Sequence, residues 1–292
     1  MRALALLFLL LPSAALAHGG AAHDAWRPEP WAAVPLLLLA GLYALGFARL
    51  WRRAEQGRGA LRRGALLFAA GWSVLAGSVA SPLHQAGEHS FTLHMIEHEL
   101  IMLPAALLLV LARPGPVLLW AFPAGGRQAL AGAARGAGPL WDLLSLPVAA
   151  TLLQSAAMWI WHMPPLFDRA LRGEGWHVAQ HLSFLLTALL FWWAMAHGRA
   201  GRQGYGLAAF CLFVTSLVGG ALGALMAFST SPWYSGYAAL GMTPMGLSPA
   251  EDQQLAGLVM WIPGGVFHAA AALWFLYQWL KASEVPHAVA AH

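Results

Sequence analysis

Two short stretches carry side chains whose type and spacing could do chemistry. In TLHMIEHELIM, His94 and His98 stand four apart, and in WHVAQHLSFLL, His177 and His181 repeat the spacing. Residues four apart lie one above the other on a single helix face, so each stretch offers a pair of imidazoles to whatever that face meets. His162, in WIWHMPP, closes another apolar run at an equivalent depth. Two such pairs and a fifth histidine could converge in a bundle core, where cofactor sites are built from facing helices. Imidazole suits copper, zinc, iron or nickel, and nearby thioethers such as Met95 and Met102 add a preference for cuprous ion. A single pair is as well explained by an interfacial anchor or a polar contact between helices. Both pairs together with His162 favour a metal.

Other chemistry is thinner. The one cysteine, Cys211, sits in an apolar run, which excludes a disulfide framework or a paired-cysteine metal site within one chain. A zinc protease helix needs H-E-x-x-H, whereas His98 and Glu99 are followed by Leu100, Ile101 and Met102. His18 and His23 in HGGAAHDAW could chelate copper through a free amine and imidazoles, or be an ordinary tail. His268, deep in an apolar run, reads as a packed, hydrogen-bonded histidine. The remaining Met residues read as core or lipid-facing. In SPAEDQQ, Ser248 and Glu251 form a capping-box pattern for the helix that follows. Asp252 beside them either serves that helix end or completes a metal shell, directly or by orienting a histidine.

The elements that must position these groups are membrane helices. The 292 residues are 59% hydrophobic and 10% charged, with a mean hydropathy of +0.61, against about 25% charged residues in a soluble domain. Apolar runs near 31–50, 64–81, 92–112, 143–163, 176–196, 205–228 and 255–280 are each read as a span. This predicts an all-α, polytopic membrane helix bundle of about seven transmembrane helices. Residues 1–17, MRALALLFLLLPSAALA, have the pattern of a cleavable signal peptide, with an uncleaved anchor as the alternative. Cleavage there leaves His18 as the mature N-terminus of a tail over 18–30. The membrane domain then covers 31–281 and a C-terminal tail 282–292.

Charge orients the bundle. Residues 49–63 hold six arginines and one acid, and Arg113, Arg127, Arg135, Arg199, Arg202 and Lys281 flank other ends on the same side. By the positive-inside rule these ends are cytoplasmic. The +4 formal charge therefore records topology; no basic stripe for nucleic acid is present. A second consequence is that most acids, including Glu29, Glu88, Glu97, Glu99, Asp168, Glu174, Glu251 and Asp252, fall on the outer side with His84, His89 and the five histidines above. Arg169 and Arg172 on an outer loop run against the rule, and the Gly/Ala-rich stretch 124–138 could be a short interfacial helix.

Four stretches carry a resemblance to a known family: HMIEHELIMLPAALLLVLARPGP, WIWHMPPLFDRALRGEGWHVAQHLSFLLTALLFWW, SPWYSGYAALG and EDQQLAGLVMWIPGG. They resemble the CtaG family of multi-span cytochrome c oxidase assembly factors. That resemblance implies a seven-helix protein of the bacterial inner membrane, N-terminus periplasmic and C-terminus cytoplasmic, that supports copper delivery to the oxidase. The matching polar positions are His94, His98, His162, Asp168, His177, His181, Asp252 and Gln253. The family pattern often has Gln at Glu97, an acid at Gln180 and Tyr at Phe167, so no role for these three is implied.

The expectation is a non-enzymatic assembly factor that binds copper through His94, His98, His162, His177, His181 and Asp252. Its partners would be oxidase subunits or a periplasmic copper chaperone, and the lipid bilayer. A haem-bearing membrane redox protein and a copper permease remain as alternatives. The first would hold iron between two helices without the absent CxxCH attachment motif, and the second needs a polar trail toward the cytoplasm, of which His268 is the one deep ionisable group.

Overall fold

The computed structural model describes residues 29–198 and 202–284. The expected signal peptide, His18 and His23, most of the 18–30 tail and most of the 282–292 tail lie outside the described residues. The described residues are mostly helical, with no strand among them.

Helix α1 (Pro30–Arg53) opens with proline, whose fixed φ suits a first helical turn, and closes with Arg52 and Arg53 against the negative end of its dipole. Gly57, at φ 77°, makes the left-handed turn into α2 (Arg58–Val79). The short α3 (Pro82–Gly87) starts at Ser81, whose hydroxyl accepts from the Leu83 amide. Helix α4 (Phe91–Leu100) runs through a π-helical turn at Ile101–Ala105 into α5 (Ala106–Ala112). Pro104 lies in that turn and cannot donate to the carbonyl four residues earlier, which widens the helix there. The Met102 carbonyl accepts instead from Trp192 Nε1 at 2.9 Å.

Helices α6 (Pro114–Leu119), α7 (Ala124–Gly136) and α8 (Gly138–Leu144) connect to α9 (Pro147–Trp161), and α10 (Pro164–Arg172) leads into α11 (Glu174–His197). Helices α12 (Arg202–Ala227), α13 (Ser235–Leu240) and α14 (Pro249–Glu284) complete the bundle. The 124–138 stretch is indeed helical, and α7 buries none of its residues.

Among the described residues, five helices are long and apolar enough to cross a bilayer: α1, the continuous Phe91–Ala112, α11, α12 and α14. Helices α8 and α9, bent by 73° at their junction, make a sixth if counted as one span. The expected count of about seven is thus confirmed only as five or six. The difference lies in α2, where Arg62 and Arg63 leave an uncharged stretch, 64–79, shorter than the roughly 17–25 residues of an ordinary span. Exposed Leu37, Leu38, Leu152, Phe213, Leu217 and Val266 give the outside of the bundle a lipid-compatible surface. The protein is a multi-pass membrane protein.

Two apolar clusters hold the helices together. One joins α1 and α2 to the π turn and α5 through Leu36, Tyr43, Phe68, Leu75, Ile101 and Leu109. The larger packs Phe91, Phe167, Phe184, Phe191, Trp192 and Met226. Helices α12 and α14 approach so closely that a Cβ on Gly257 would stand 2.5 Å from the Gly223 carbonyl oxygen, the use of small residues expected where two membrane helices touch. The bundle has two chemically distinct ends. At one, Arg49 donates to the Ala121 carbonyl at 2.6 Å and Arg113 to His197 at 2.6 Å. Most of the acids and His84, His94, His98, His162, His177 and His181 gather at the other.

Candidate metal centre

The site begins with the helix that carries His94 and His98. The first amides of α4 have no partner within the helix, and Asp252, at the start of α14, supplies one. Its carboxylate accepts from the Ser90 hydroxyl at 2.9 Å, the Phe91 amide at 2.6 Å and the Thr92 amide at 3.2 Å. The Thr92 hydroxyl donates to the Asp252 carbonyl at 3.0 Å. With α4 fixed, His94 and His98 project one turn apart into the bundle, ring centroids 4.3 Å from each other. Helix α11 descends beside them and presents His177 and His181, also 4.3 Å apart.

The two pairs meet. His98 Nε2 and His181 Nε2 are 3.1 Å apart, and one nitrogen from each of His94, His98 and His181 lies within 4.8 Å of the others. All three rings are buried, at 4% exposure or less. Two nitrogens bound tetrahedrally to one metal at about 2.0–2.1 Å stand roughly 3.3 Å apart, so the His98–His181 separation suits two ligands on a common ion as well as the hydrogen bond the two rings make here. Buried polar atoms ordinarily have partners, yet His94 Nε2, His98 Nδ1, His177 Nε2 and His181 Nδ1 have none within the protein. This donor set fits copper or zinc.

His84, on α3, joins from the side. It forms a second triad with His177 and His181, again with ligand atoms within 4.8 Å, so His181 belongs to both. Its Nδ1 pairs with Glu97 Oε1 at 2.8 Å, and the same oxygen is 3.8 Å from His181 Nδ1. A carboxylate on Nδ1 leaves Nε2 free to ligate and fixes the ring's orientation. Burial alone would lower the His84 pKa, but the hydrogen bond and charge of Glu97, with the charges of Glu29 and Glu88, outweigh it and raise it. The Tyr237 hydroxyl, pushed well above its ordinary range by burial and then by the Asp252 and Glu97 charges, remains a donor and binds the Gly87 carbonyl at 2.6 Å. Gly87 in turn lets α3 lie on α4, since a Cβ there would stand 3.2 Å from His94 Cα.

A cavity of about 1050 Å3 leads to the centre. His84, His94 and His177 line its inner part, with Trp31, Glu88 and Glu174 among its other walls. Trp31 donates through Nε1 to Glu29 and sets its ring edge-on to His84, centroids 5.5 Å apart.

Of the residues expected from sequence, His94, His98, His177 and His181 come together. His162 is buried at the flank, its ring 6.5 Å from that of His98 and its Nδ1 2.7 Å from the Met158 carbonyl, with Nε2 unpartnered. Asp252, expected as a ligand, is not in the cluster. Its carboxylate is occupied by α4, so it positions the histidines instead. Asp168 likewise serves a helix end, accepting from the Ser235 hydroxyl at 2.5 Å and the Gly236 amide at 3.1 Å. Gln253 binds the Trp233 amide through its carbonyl oxygen at 2.6 Å. Sequence reasoning placed His84 and Glu97 on the outer side without assigning them to the centre. The available signal was Glu97 standing three residues after His94, on nearly the same helix face.

A family model for cytochrome c oxidase caa3 assembly factors matches residues 41–282, which include every histidine of the centre. The chain belongs to this caa3 assembly-factor family. It is also similar to uncharacterised proteins of Mycobacterium bovis and Mycobacterium tuberculosis, each 28% identical over 247 residues. The match covers 81% of this chain but 36% of either relative, so the chain spans about a third of their length. No solved structure matches. The four stretches that carried the resemblance thus lead to the right family, and they supply most of α4, the end of α9, α10, most of α11, α13 and part of α14, so that of the centre's histidines only His84 on α3 lies outside them.

Proposed function

We propose that this protein is a non-catalytic assembly factor that binds copper at the imidazole cluster and supports its delivery to cytochrome c oxidase. The observation that carries the proposal is the convergence of His94, His98 and His181, with two Nε2 atoms 3.1 Å apart and buried imidazole nitrogens left without partners. His177 and His84 supply a second position toward the cavity, and Glu97 offers a counter-charge. Imidazole is a ligand for copper, and a cluster reached through an open cavity suits cargo that must leave again. The protein lies in the inner membrane with the arginine-rich ends cytoplasmic, which puts the centre and the chain's N-terminus on the periplasmic side. There it meets an oxidase subunit or a periplasmic copper chaperone.

The test is metal content and visible absorbance of the detergent-purified chain, beside a variant with His94, His98, His177 and His181 all changed to alanine. Copper in the parent, lost from a folded variant, is expected. No copper in the parent even after loading would reject the proposal, and a haem spectrum would replace it with a redox function.

A further inference from the structure

One helical turn deeper, the bundle leaves a second small space. Four residues separate His98 from Met102, roughly 6 Å along a helix axis. At this level α4 and the π turn, α9, α12 and α14 surround a cavity of about 30 Å3, enough for one water or ion. Its lining includes three buried methionines, Met102, Met158 and Met260, on three different elements, together with Glu99, Gln154 and His268. Gln154, 7% exposed, donates through Nε2 to Met102 Sδ at 3.4 Å and leaves its Oε1 without a partner. Glu99 Oε2 is also buried and unpartnered.

The backbone is shaped around these groups. A Cβ on Gly264 would stand 2.8 Å from Glu99 Oε2, and one on Gly219 would stand 3.7 Å from Met158 Sδ. Met158 is tied to the upper cluster, because its carbonyl is the partner of His162 Nδ1. A packed apolar core would hold neither a carboxylate nor an amide with vacant acceptors. Thioethers select soft ions such as cuprous, and a monovalent cation here would face Glu99 as counter-charge.

We infer that this cavity is a second site, for a soft monovalent cation, with Met102, Met158 and Met260 as thioether donors and Glu99 as the balancing charge. It shares no residue with the imidazole centre and stands independently of the function proposed above.

The experiment loads the full chain in detergent with silver ion, and anaerobically with cuprous ion, and reads stoichiometry and X-ray absorption at the metal edge. Three proteins are compared: the parent, H94A/H98A/H181A, and M102L/M158L/M260L, whose exchanges nearly conserve volume. The parent should show nitrogen and sulfur shells. The histidine variant should keep about one equivalent with sulfur alone, and the methionine variant should keep the nitrogen shell while losing at least tenfold in silver affinity at the second site. Should the triple methionine variant not fold, M102L alone should weaken the sulfur shell and that affinity. A parent with no sulfur shell, or methionine variants that bind unchanged, would overturn the inference and leave the imidazole centre intact. A parent with sulfur but no nitrogen would reject the imidazole reading and retain this one.

Discussion

Glu97→Gln is the sharpest probe of the centre, because one buried oxygen of that carboxylate touches two rings, at 2.8 Å from His84 Nδ1 and 3.8 Å from His181 Nδ1. The exchange keeps shape and an acceptor for His84 but removes the charge. A unit charge about 5 Å from a bound cation is worth roughly 3 kcal/mol at an effective dielectric of about 20. Loss of an outer carboxylate that orients ligating histidines typically costs about 10–100-fold in affinity, or about 1.4–2.7 kcal/mol. The charge route gives a little over two decades and the orienting route one to two, so a weakening of about two decades is expected. Competition with a chromophoric cuprous chelator at pH 7.5, on parent, E97Q, H84A and the double variant, measures it. Because part of the effect runs through His84, the double variant should fall short of the summed single effects. Affinity within twofold of the parent in a folded E97Q protein would refute the assignment of Glu97 as the shared orienting and balancing group.

Asp252→Ala removes three hydrogen bonds at the start of α4 and should destabilise the protein by about 1–3 kcal/mol, read as a lower melting temperature, with weaker metal binding because α4 loosens; unchanged melting would remove its positioning role. Gly257→Ala sets a methyl against the α12 backbone and should cost about 1–3 kcal/mol of overpacking, again read by melting. The His84 pKa is raised above 6.5, so its contribution to stability is fully present below pH 6.5 and lost as pH rises through the higher folded value. The metal-free parent should therefore gain melting temperature between pH 8 and pH 6 relative to His84→Asn. Metal affinity should run the opposite way, falling in mild acid as His84 takes up a proton.

The helices and both histidine pairs were legible because apolar runs and four-residue spacing are local properties. Their convergence was legible only as an expectation, since nothing in WHVAQHL states which face of α11 meets α4. Asp252 misled because a carboxylate near histidines in depth has two outlets, a metal or the open amides of a helix, and only the Ser90–Thr92 approach decides between them. His84 went unassigned because α3 is six residues long, too short to show a periodicity. The exact span count stays unconfirmed at α2, where Arg62 and Arg63 shorten the uncharged stretch. Met102 read as a thioether near His98, and Met158 and Met260 as core or lipid-facing. They meet only because the π turn at Pro104 and the glycines of α12 and α14 leave a space between them.

The bond from Asp252 to the head of α4 crosses about 160 residues of chain. During synthesis the histidines of α4 and α11 emerge well before α14, and until α14 arrives the amides of Phe91 and Thr92 have no acceptor from it. The centre is therefore a late product of folding. A nascent chain cannot hold these rings in the finished geometry before its last described helix is in place.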